Sequence, residues 1–220
     1  MKLKEVTIHK YKSFESDQKF DVKEDVTILV GMNESGKTSV LESIAKTNYF
    51  QKDKKFKFNK THDYPRRQKK EMDKSGSMPK AITCVYTIDS KTQELIESKV
   101  GPNVFSQESI SVTTSYENKR EWNSLEANFT KFIQNKTKEL GISSKTLNDK
   151  LARVKNSEDL NSLIEEYKDE GIVAGLHKFK KYLMNEWQWD NPIDEYIARC
   201  MILPSLPKFL YYDEYYALPS

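Results

Sequence analysis

The chain has 220 residues, of which 37% are hydrophobic, 31% charged and 11% aromatic, and its mean hydropathy is −0.77. This length allows one large domain, or a core with a subdomain, and the 10 Phe, 12 Tyr and 3 Trp can build a hydrophobic core. The longest aliphatic run, residues 26–30, is too short to cross a bilayer, and the N-terminus alternates charged with apolar residues, unlike a signal peptide. We therefore exclude the secreted and membrane-spanning classes, expect no contact with a membrane, and predict a cytoplasmic protein.

The two cysteines, Cys84 and Cys200, have no second cysteine or histidine nearby at metal-ligand spacing. They form neither the framework of a disulfide-rich protein nor a zinc site, since both need closely spaced ligands or several cysteine pairs. We expect two buried thiols.

The net charge of +3 is unevenly distributed along the chain. Residues 1–50 are balanced, residues 51–80 carry a net charge of +7, and the remaining residues sum to −4. A segment this basic is a candidate contact for a polyanion such as DNA. A solvated loop whose lysines only maintain solubility is the alternative.

Two apolar runs near the N-terminus predict strands. Residues 4–10 alternate, with Val6 and Ile8 on one face, as in a half-buried strand. Residues 25–30 form a short apolar run rich in β-branched residues, which is typical of a central strand buried on both faces of an α/β sheet. After residues 31–38 the pattern becomes helical, with one apolar face formed by Val40, Leu41, Ile44 and Ala45.

The rest of the chain changes character twice. Residues 51–80 lack periodicity and predict a loop excursion, and residues 81–89 and 109–114 predict further strands. From about residue 117 helical periods dominate, with apolar residues three or four positions apart at Trp122, Leu125, Phe129, Phe132 and Ile133. Pro192 suits the first turn of a last helix. Residues 207–212 return to a composition typical of a strand. We predict an α/β P-loop core over residues 1–116, a helical insert over 117–201, and a returning strand over 202–220.

Residues 31–38 match the Walker A pattern G-x-x-x-x-G-K-[ST] at every required position. Gly31 and Gly36 permit backbone torsions that turn successive N–H groups toward an anion, and the following helix N-terminus adds a partial positive charge. Lys37 supplies a cation for the β- and γ-phosphates, and the Thr38 hydroxyl is a ligand for Mg²⁺. The apolar run before the motif and the amphipathic helix after it are the context that this motif requires. The sequence therefore predicts binding of ATP with Mg²⁺.

The run V-T-I-L-V-G-M-N-E-S-G-K-T-S-V-L-E-S-I, from Val26 to Ile44, resembles the Walker A segment of RecF/SMC/ABC-type ATPases. It is most similar to the AAA-type ATPase domain of OLD-family (overcoming lysogenization defect) nucleases and related defence ATPases. The opening L-K-E-V-T-I-H-K-Y-K-S-F, residues 3–14, and the T-H-D-Y-P-R-R segment, residues 61–67, are also similar to stretches of those proteins.

This resemblance implies an ABC- or SMC-head-like fold in which two subunits enclose two ATP molecules and act on or near DNA. It places the phosphate-loop contacts at Gly31, Asn33, Glu34, Ser35, Gly36, Lys37, Thr38 and Ser39. It also implies a Walker B Asp for the magnesium site and an adjacent Glu to orient water, for which Asp213 and Glu214 are the candidates. No signature motif precedes these two residues and no proline follows them, so a strand that ends in a polar turn is the favoured alternative.

Three functions are compatible with this pattern to different degrees. The leading hypothesis is a Mg²⁺-dependent ATPase head that dimerises with nucleotide and acts on DNA in repair or phage defence, with residues 51–80 as a possible DNA contact. The alternative is a truncated or degenerate ATP-binding module that regulates a partner and hydrolyses little. A P-loop kinase or GTPase is disfavoured, because the sequence has no Asn-Lys-x-Asp motif and no arginine-rich lid.

Overall fold

The computed structural model describes residues 1–142 and 144–212. They form two compact units. Unit one comprises Met1–Thr87, Ser109–Ser124 and the chain from Leu206, and unit two comprises Ile88–Glu108 and Leu125–Ser205. Strands and helices are both present, which confirms the predicted mixed α/β class.

A five-stranded sheet forms the centre of unit one, with the order β2-β1-β3-β4-β5 and every neighbouring pair antiparallel. Val6 and Ile8 are fully buried, which confirms the alternation predicted for the first strand. The strands predicted over residues 81–89 and 109–114 are also present. The ranges are β1 Lys2–Ile8, β2 Gln18–Asp21, β3 Lys80–Thr87, β4 Ser109–Ser115 and β5 Arg120–Asn123.

The basic segment 51–80 is a series of short helices rather than a loop. Periodicity does not reveal them because each has only one or two turns. Four apolar side chains anchor the segment in the core: Phe56, Phe58, Tyr64 and Met72 are buried. The helices of unit one are α1 Lys37–Thr47, α2 Lys60–Asp63 and α3 Lys69–Ser75, with 3₁₀ turns at Lys54–Phe56 and Arg66–Gln68.

The central strand predicted over residues 25–30 is wrong. This segment is not a strand, and no backbone hydrogen bond joins it to the rest of the described chain. Val26, Ile28 and Val30 are 69%, 77% and 90% exposed. β-branched composition favours extended backbone, but a strand also needs a hydrogen-bonded neighbour, and residues 25–30 have none among the described residues.

Unit two is helical. Five consecutive helices have an N-cap residue whose side-chain oxygen accepts a backbone N–H bond from the first turn. These N-cap residues are Asn128, Ser144, Asn156, Asp169 and Asn191. Its core includes Phe132, Leu147, Leu160 and Leu176, all fully buried. The helices are α4 Ser90–Val100, α5 Phe129–Glu139, α6 Lys145–Leu151, α7 Ser157–Glu165, α8 Glu170–Phe179, α9 Pro192–Ile197 and α10 Leu203–Ser205, with a 3₁₀ turn at Lys180–Tyr182 and a π-helical turn at Ala198–Ile202.

Several local predictions for the second half of the chain have clear outcomes. Pro192 occupies the first turn of α9 as expected, but Trp122 lies in β5 rather than in a helix. The returning strand predicted over residues 202–220 is wrong for the described part of that range: residues 203–205 are helical, and Phe209 makes only an isolated parallel bridge to Tyr49. Cys200 is exposed, contrary to expectation, whereas Cys84 is buried.

Asp213 and Glu214 lie outside the described residues. Among the residues that are described, no helix combines the length and the apolar character needed to cross a membrane.

The first prediction concerns Asp194, whose Oδ1 accepts the Ala127 N–H at 2.6 Å within unit two. Burial, reinforced by the nearby charge of Glu126, raises the pKa of this carboxyl from 3.8 to about 6. The folded state therefore retains a proton that an unfolded chain has released, and stability falls as the pH rises from about 4 to about 6.

Asp194→Asn keeps an oxygen acceptor for Ala127 and removes the charge. We expect the free energy of unfolding at pH 7 to rise by about 1 kcal/mol, allowing for partial solvent screening, and its decline between pH 4 and 6 to flatten. Urea denaturation at each pH measures both effects. Asp149→Asn, at an exposed position of α6, is the control; an equal effect there would contradict the assignment.

Candidate functional site

The residues of the Walker A pattern form a turn that ends at the first residue of α1. Gly36 is the N-cap and has φ of 93°, in the left-handed region, and Glu34 has φ of 64°. No side chain caps the N-terminus of α1, and its first turn contains no acidic residue. The first N–H groups of the helix are thus available to an anion.

Lys37 folds the turn around its ammonium group. Its Nζ donates to the carbonyl oxygens of Gly31 and Met32, both at 2.8 Å. The Ser35 N–H donates to the same Met32 oxygen at 3.2 Å. A fixed cation therefore lies within a loop that already presents uncapped N–H groups, which is the arrangement that a phosphate chain requires.

Neighbouring side chains approach both glycines of the loop closely. A Cβ on Gly31 would lie 2.6 Å from the Ser35 Oγ, and a Cβ on Gly36 would lie 2.6 Å from the Phe14 ring. At Gly36 the positive φ adds a backbone cost for any side chain. Phe14 thus packs directly against the junction of loop and helix.

Phe14 belongs to a tight turn after β1 that also contacts the middle of α1. Tyr11 and Phe14 exchange backbone hydrogen bonds at 3.0 and 2.8 Å. Lys12 forms an ion pair with Glu42 of α1, and the Tyr11 hydroxyl donates to the same carboxylate at 3.4 Å. The N-terminal hairpin therefore holds the phosphate-loop helix at two places.

A buried ion pair holds the same helix at its C-terminal end. The Lys46 Nζ lies 2.6 Å from the Asp63 Oδ2, and the two side chains are 9% and 5% exposed. Asp63 also accepts the Asn59 N–H at 2.8 Å. The Lys46 ammonium lies 5.4 Å from the centre of the Tyr11 ring and 5.8 Å from that of Phe58.

The charges of this cluster affect the tyrosines around it. Burial, and then the negative charge of Asp63, raises the pKa of Tyr11 and of Tyr116 well above the ordinary tyrosine value. Both hydroxyls therefore stay protonated and donate hydrogen bonds: Tyr11 to Glu42, and Tyr116 to the backbone oxygens of Lys10 and Asp63.

Most of the predicted site residues lie together in this loop and in the first turn of α1. Four of them, Asn33, Glu34, Ser35 and Thr38, are exposed, whereas Ser39 is half-buried. The structure also adds the acidic side chain of Glu42, which sequence analysis did not connect to the site, and it pairs Asp63 with Lys46. Asp63 lies in the 61–67 segment, so that resemblance was the available signal, but nothing in the sequence pairs it with Lys46.

No cluster of three or more His, Cys, Asp or Glu side chains suited to a metal ion occurs within residues 1–142 and 144–212. This is compatible with Mg²⁺, which in phosphate sites takes few protein ligands and completes its shell with phosphate oxygens and water. Thr38, the residue that the Walker A pattern predicts as a ligand, is exposed.

Comparison with known proteins gives one family. Residues 1–186 match the family model described as an AAA ATPase domain. No curated protein matches the chain.

The second prediction tests the close approach at Gly36. Gly36→Ala adds a Cβ against Phe14 at a positive φ, so we expect the affinity for a triphosphate to fall at least about tenfold and stability to fall by about 2 kcal/mol. Isothermal titration and urea denaturation measure the two losses. Gly76→Ala is the matched control, because Gly76 also has a positive φ but has no atom within 4 Å of the added Cβ. Equal losses in both variants would contradict the packing argument.

The third prediction concerns the buried pair. Lys46→Met leaves the Asp63 carboxylate buried without its cation, and we expect a loss of about 3 kcal/mol in the free energy of unfolding. Adding Asp63→Asn removes that charge and should recover most of the loss. The exposed Lys60–Asp73 pair, with side chains 39% and 55% exposed, serves as the control. There the same substitution, Lys60→Met, should lower the free energy of unfolding by less than about 1 kcal/mol. Failure of the double variant to recover would contradict the ion-pair explanation.

Proposed function

Because the chain belongs to the AAA ATPase domain family, we propose that it binds ATP with Mg²⁺ at residues 31–39 and hydrolyses it. One observation carries this proposal: the uncapped N-terminus of α1 follows a loop that is folded around the Lys37 ammonium. Family membership supports nucleotide binding in general, and the loop geometry supports its location.

Each residue of the loop has a physical task in this proposal. Gly36, in the left-handed conformation, turns the first N–H groups of α1 toward the phosphates. Lys37 exchanges its bonds to the Gly31 and Met32 carbonyls for bonds to the β- and γ-phosphates. Thr38 and Ser39, in the first turn of α1, add hydroxyl groups beside them.

Mg²⁺, when bound with the nucleotide, would neutralise part of the negative charge on the phosphates. The Thr38 hydroxyl would hold it on the protein side. In this proposal Asp213 supplies the second contact with the metal's water shell and Glu214 orients the attacking water, as the sequence resemblance implies.

The second candidate function is ATP binding with little hydrolysis, as in a regulatory partner module. The exposed segment 25–30 favours it, because no neighbouring strand among the described residues lies beside this segment to position carboxylates at the loop. Turnover, rather than binding, separates the two candidates.

We further propose a nucleotide-gated homodimer of the RecF/SMC/OLD type, located in the cytoplasm and acting on DNA. The exposure of Asn33, Glu34, Ser35 and Thr38 supports the dimer, since a second subunit can cover a nucleotide held at this face. The net charge of +7 on residues 51–80 supports the nucleic-acid partner.

The fourth prediction tests the nucleotide site with the full chain. We expect Lys37→Ala to abolish measurable binding of ATP, because the loop loses its only cation, and Thr38→Ala to weaken the dependence of binding on Mg²⁺. Fluorescent ATP titration with and without Mg²⁺ measures both. Lys91→Ala, at an exposed position of α4, is the control and should bind as the wild type does.

Turnover and mass complete the experiment. Phosphate release that disappears in both Lys37→Ala and Glu214→Gln would establish the ATPase, whereas binding without release would favour the regulatory module. An ATP-dependent doubling of mass in light scattering supports the dimer. Wild-type affinity in Lys37→Ala would contradict the site itself.

A further inference from the structure

A second feature of unit one has the chemistry of a ligand site. A cleft of about 710 Å³ lies beside the C-terminal end of α1. We call it the lysine cleft, and define it by six of the residues that line it: Phe50, Lys52, Lys54, Lys57, Arg120 and Lys208. It is lined by the end of α1 and the residues after it, and so is distinct from the phosphate loop at the start of that helix.

The cleft contains an ordered aromatic group. Tyr49 and Phe56 stack with ring centres 3.6 Å apart and planes 10° from parallel. Phe50 contacts Tyr49 edge to face, with ring centres 4.9 Å apart. Phe56 is only 8% exposed, whereas Phe50 is 38% exposed. Tyr49, stacked on the buried Phe56, thus holds the Phe50 ring while part of that ring faces solvent.

Hydrogen bonds fix the frame around these rings. Arg120 donates to the Thr47 carbonyl at 2.7 Å and to the Asn48 Oδ1 at 3.3 Å, and burial lowers the pKa of its guanidinium. The Asn48 side chain donates to the Pro207 carbonyl at 2.9 Å, which fixes the backbone next to Lys208. Arg120 is therefore a positioning residue, and the cleft does not depend on the ligand for its shape.

The charge of the cleft is strongly positive. Its acidic lining residue among those described is Asp53, and the Asp53 Oδ1 accepts the Lys55 N–H at 2.8 Å at the start of a 3₁₀ turn. Four lysines of the lining are exposed and form no ion pair with a carboxylate of the described chain: Lys52, Lys54, Lys57 and Lys208.

We propose that the lysine cleft binds single-stranded nucleic acid, with phosphates on its lysines and one base stacked on Phe50. A positive groove with an exposed aromatic ring is the combination that recognises an unpaired strand. In a duplex the bases are already stacked on each other, so their faces cannot reach this ring. This inference deepens the nucleic-acid partner of the proposed function, and it shifts the contact to residues 50–57 and Lys208.

The fifth prediction uses a fluorescein-labelled 15-nucleotide oligo(dT) and the full chain, without ATP or Mg²⁺, with anisotropy measured over a range of salt concentrations. Four neutralised phosphates give a slope of log affinity against log salt of roughly −3. Lys52→Gln/Lys208→Gln should flatten this slope by roughly 1.4. Phe50→Leu should weaken binding about tenfold and leave the slope unchanged, because it removes a stacking face and no charge.

Matched controls come from exposed positions of unit two. Lys91→Gln/Lys99→Gln, in α4, removes the same charge at residues that do not line the cleft, and Trp187→Leu removes a ring that is 37% exposed. Neither should change affinity or slope. Thermal melting followed by circular dichroism verifies that every variant folds.

The comparison ligands decide between possible occupants. A duplex of the same length, and ATP alone, should compete only weakly with oligo(dT). A parallel titration with oligo(U) reports whether the sugar matters. Binding of either single strand supports the proposal. Equal binding of the duplex, full competition by ATP, or unchanged affinity in Phe50→Leu would overturn it. Lys37→Ala should bind oligo(dT) as the wild type does, so a failure of the ATP site and a failure of the cleft give different results.

Discussion

The geometry of unit one depends on a buried ion pair between Lys46 and Asp63. Lys46 is in the last turn of α1, and Asp63 ends the short helix α2, so the bond joins the phosphate-loop helix to the basic segment. Burying both charges is costly, and the cost is tolerable only because each has its partner and further bonds satisfy the remaining atoms. The rings of Tyr11 and Phe58 complete this enclosure.

The position of the candidate site follows from that constraint. Lys46 fixes the C-terminal end of α1, and the Glu42–Lys12 ion pair holds its middle. The uncapped N-terminus is the end of the helix that can face a ligand. Phe14 then packs against Gly36, where a Cβ would not fit. The same helix contributes to two different surfaces: its first turn belongs to the phosphate loop, and its last residues border the lysine cleft.

Local signals in the sequence predicted the elements whose stabilising partners are nearby in the chain. The alternation of Val6 and Ile8, the proline at the start of α9 and the spacing of the Walker A residues each depend on a few neighbouring residues. The contacts that join distant segments had no such signal: nothing in the sequence pairs Lys46 with Asp63, or Arg120 with the end of α1. Trp122 shows how a distant contact can override a local signal. Its spacing to Leu125 fits a helix, but its segment pairs with β4 and forms a strand.

The exposure of residues 26–30 has a consequence for the behaviour of the chain in solution. A short β-branched segment without charge, whose backbone is unpaired, is a template on which other extended chains can assemble. Charged residues stand on both sides of it, with Lys23, Glu24 and Asp25 before and Glu34 after, and such residues act as gatekeepers against self-association. Because salt screens exposed charges, high ionic strength weakens this protection. Resistance to aggregation then depends on how well the apolar segment is shielded from other chains.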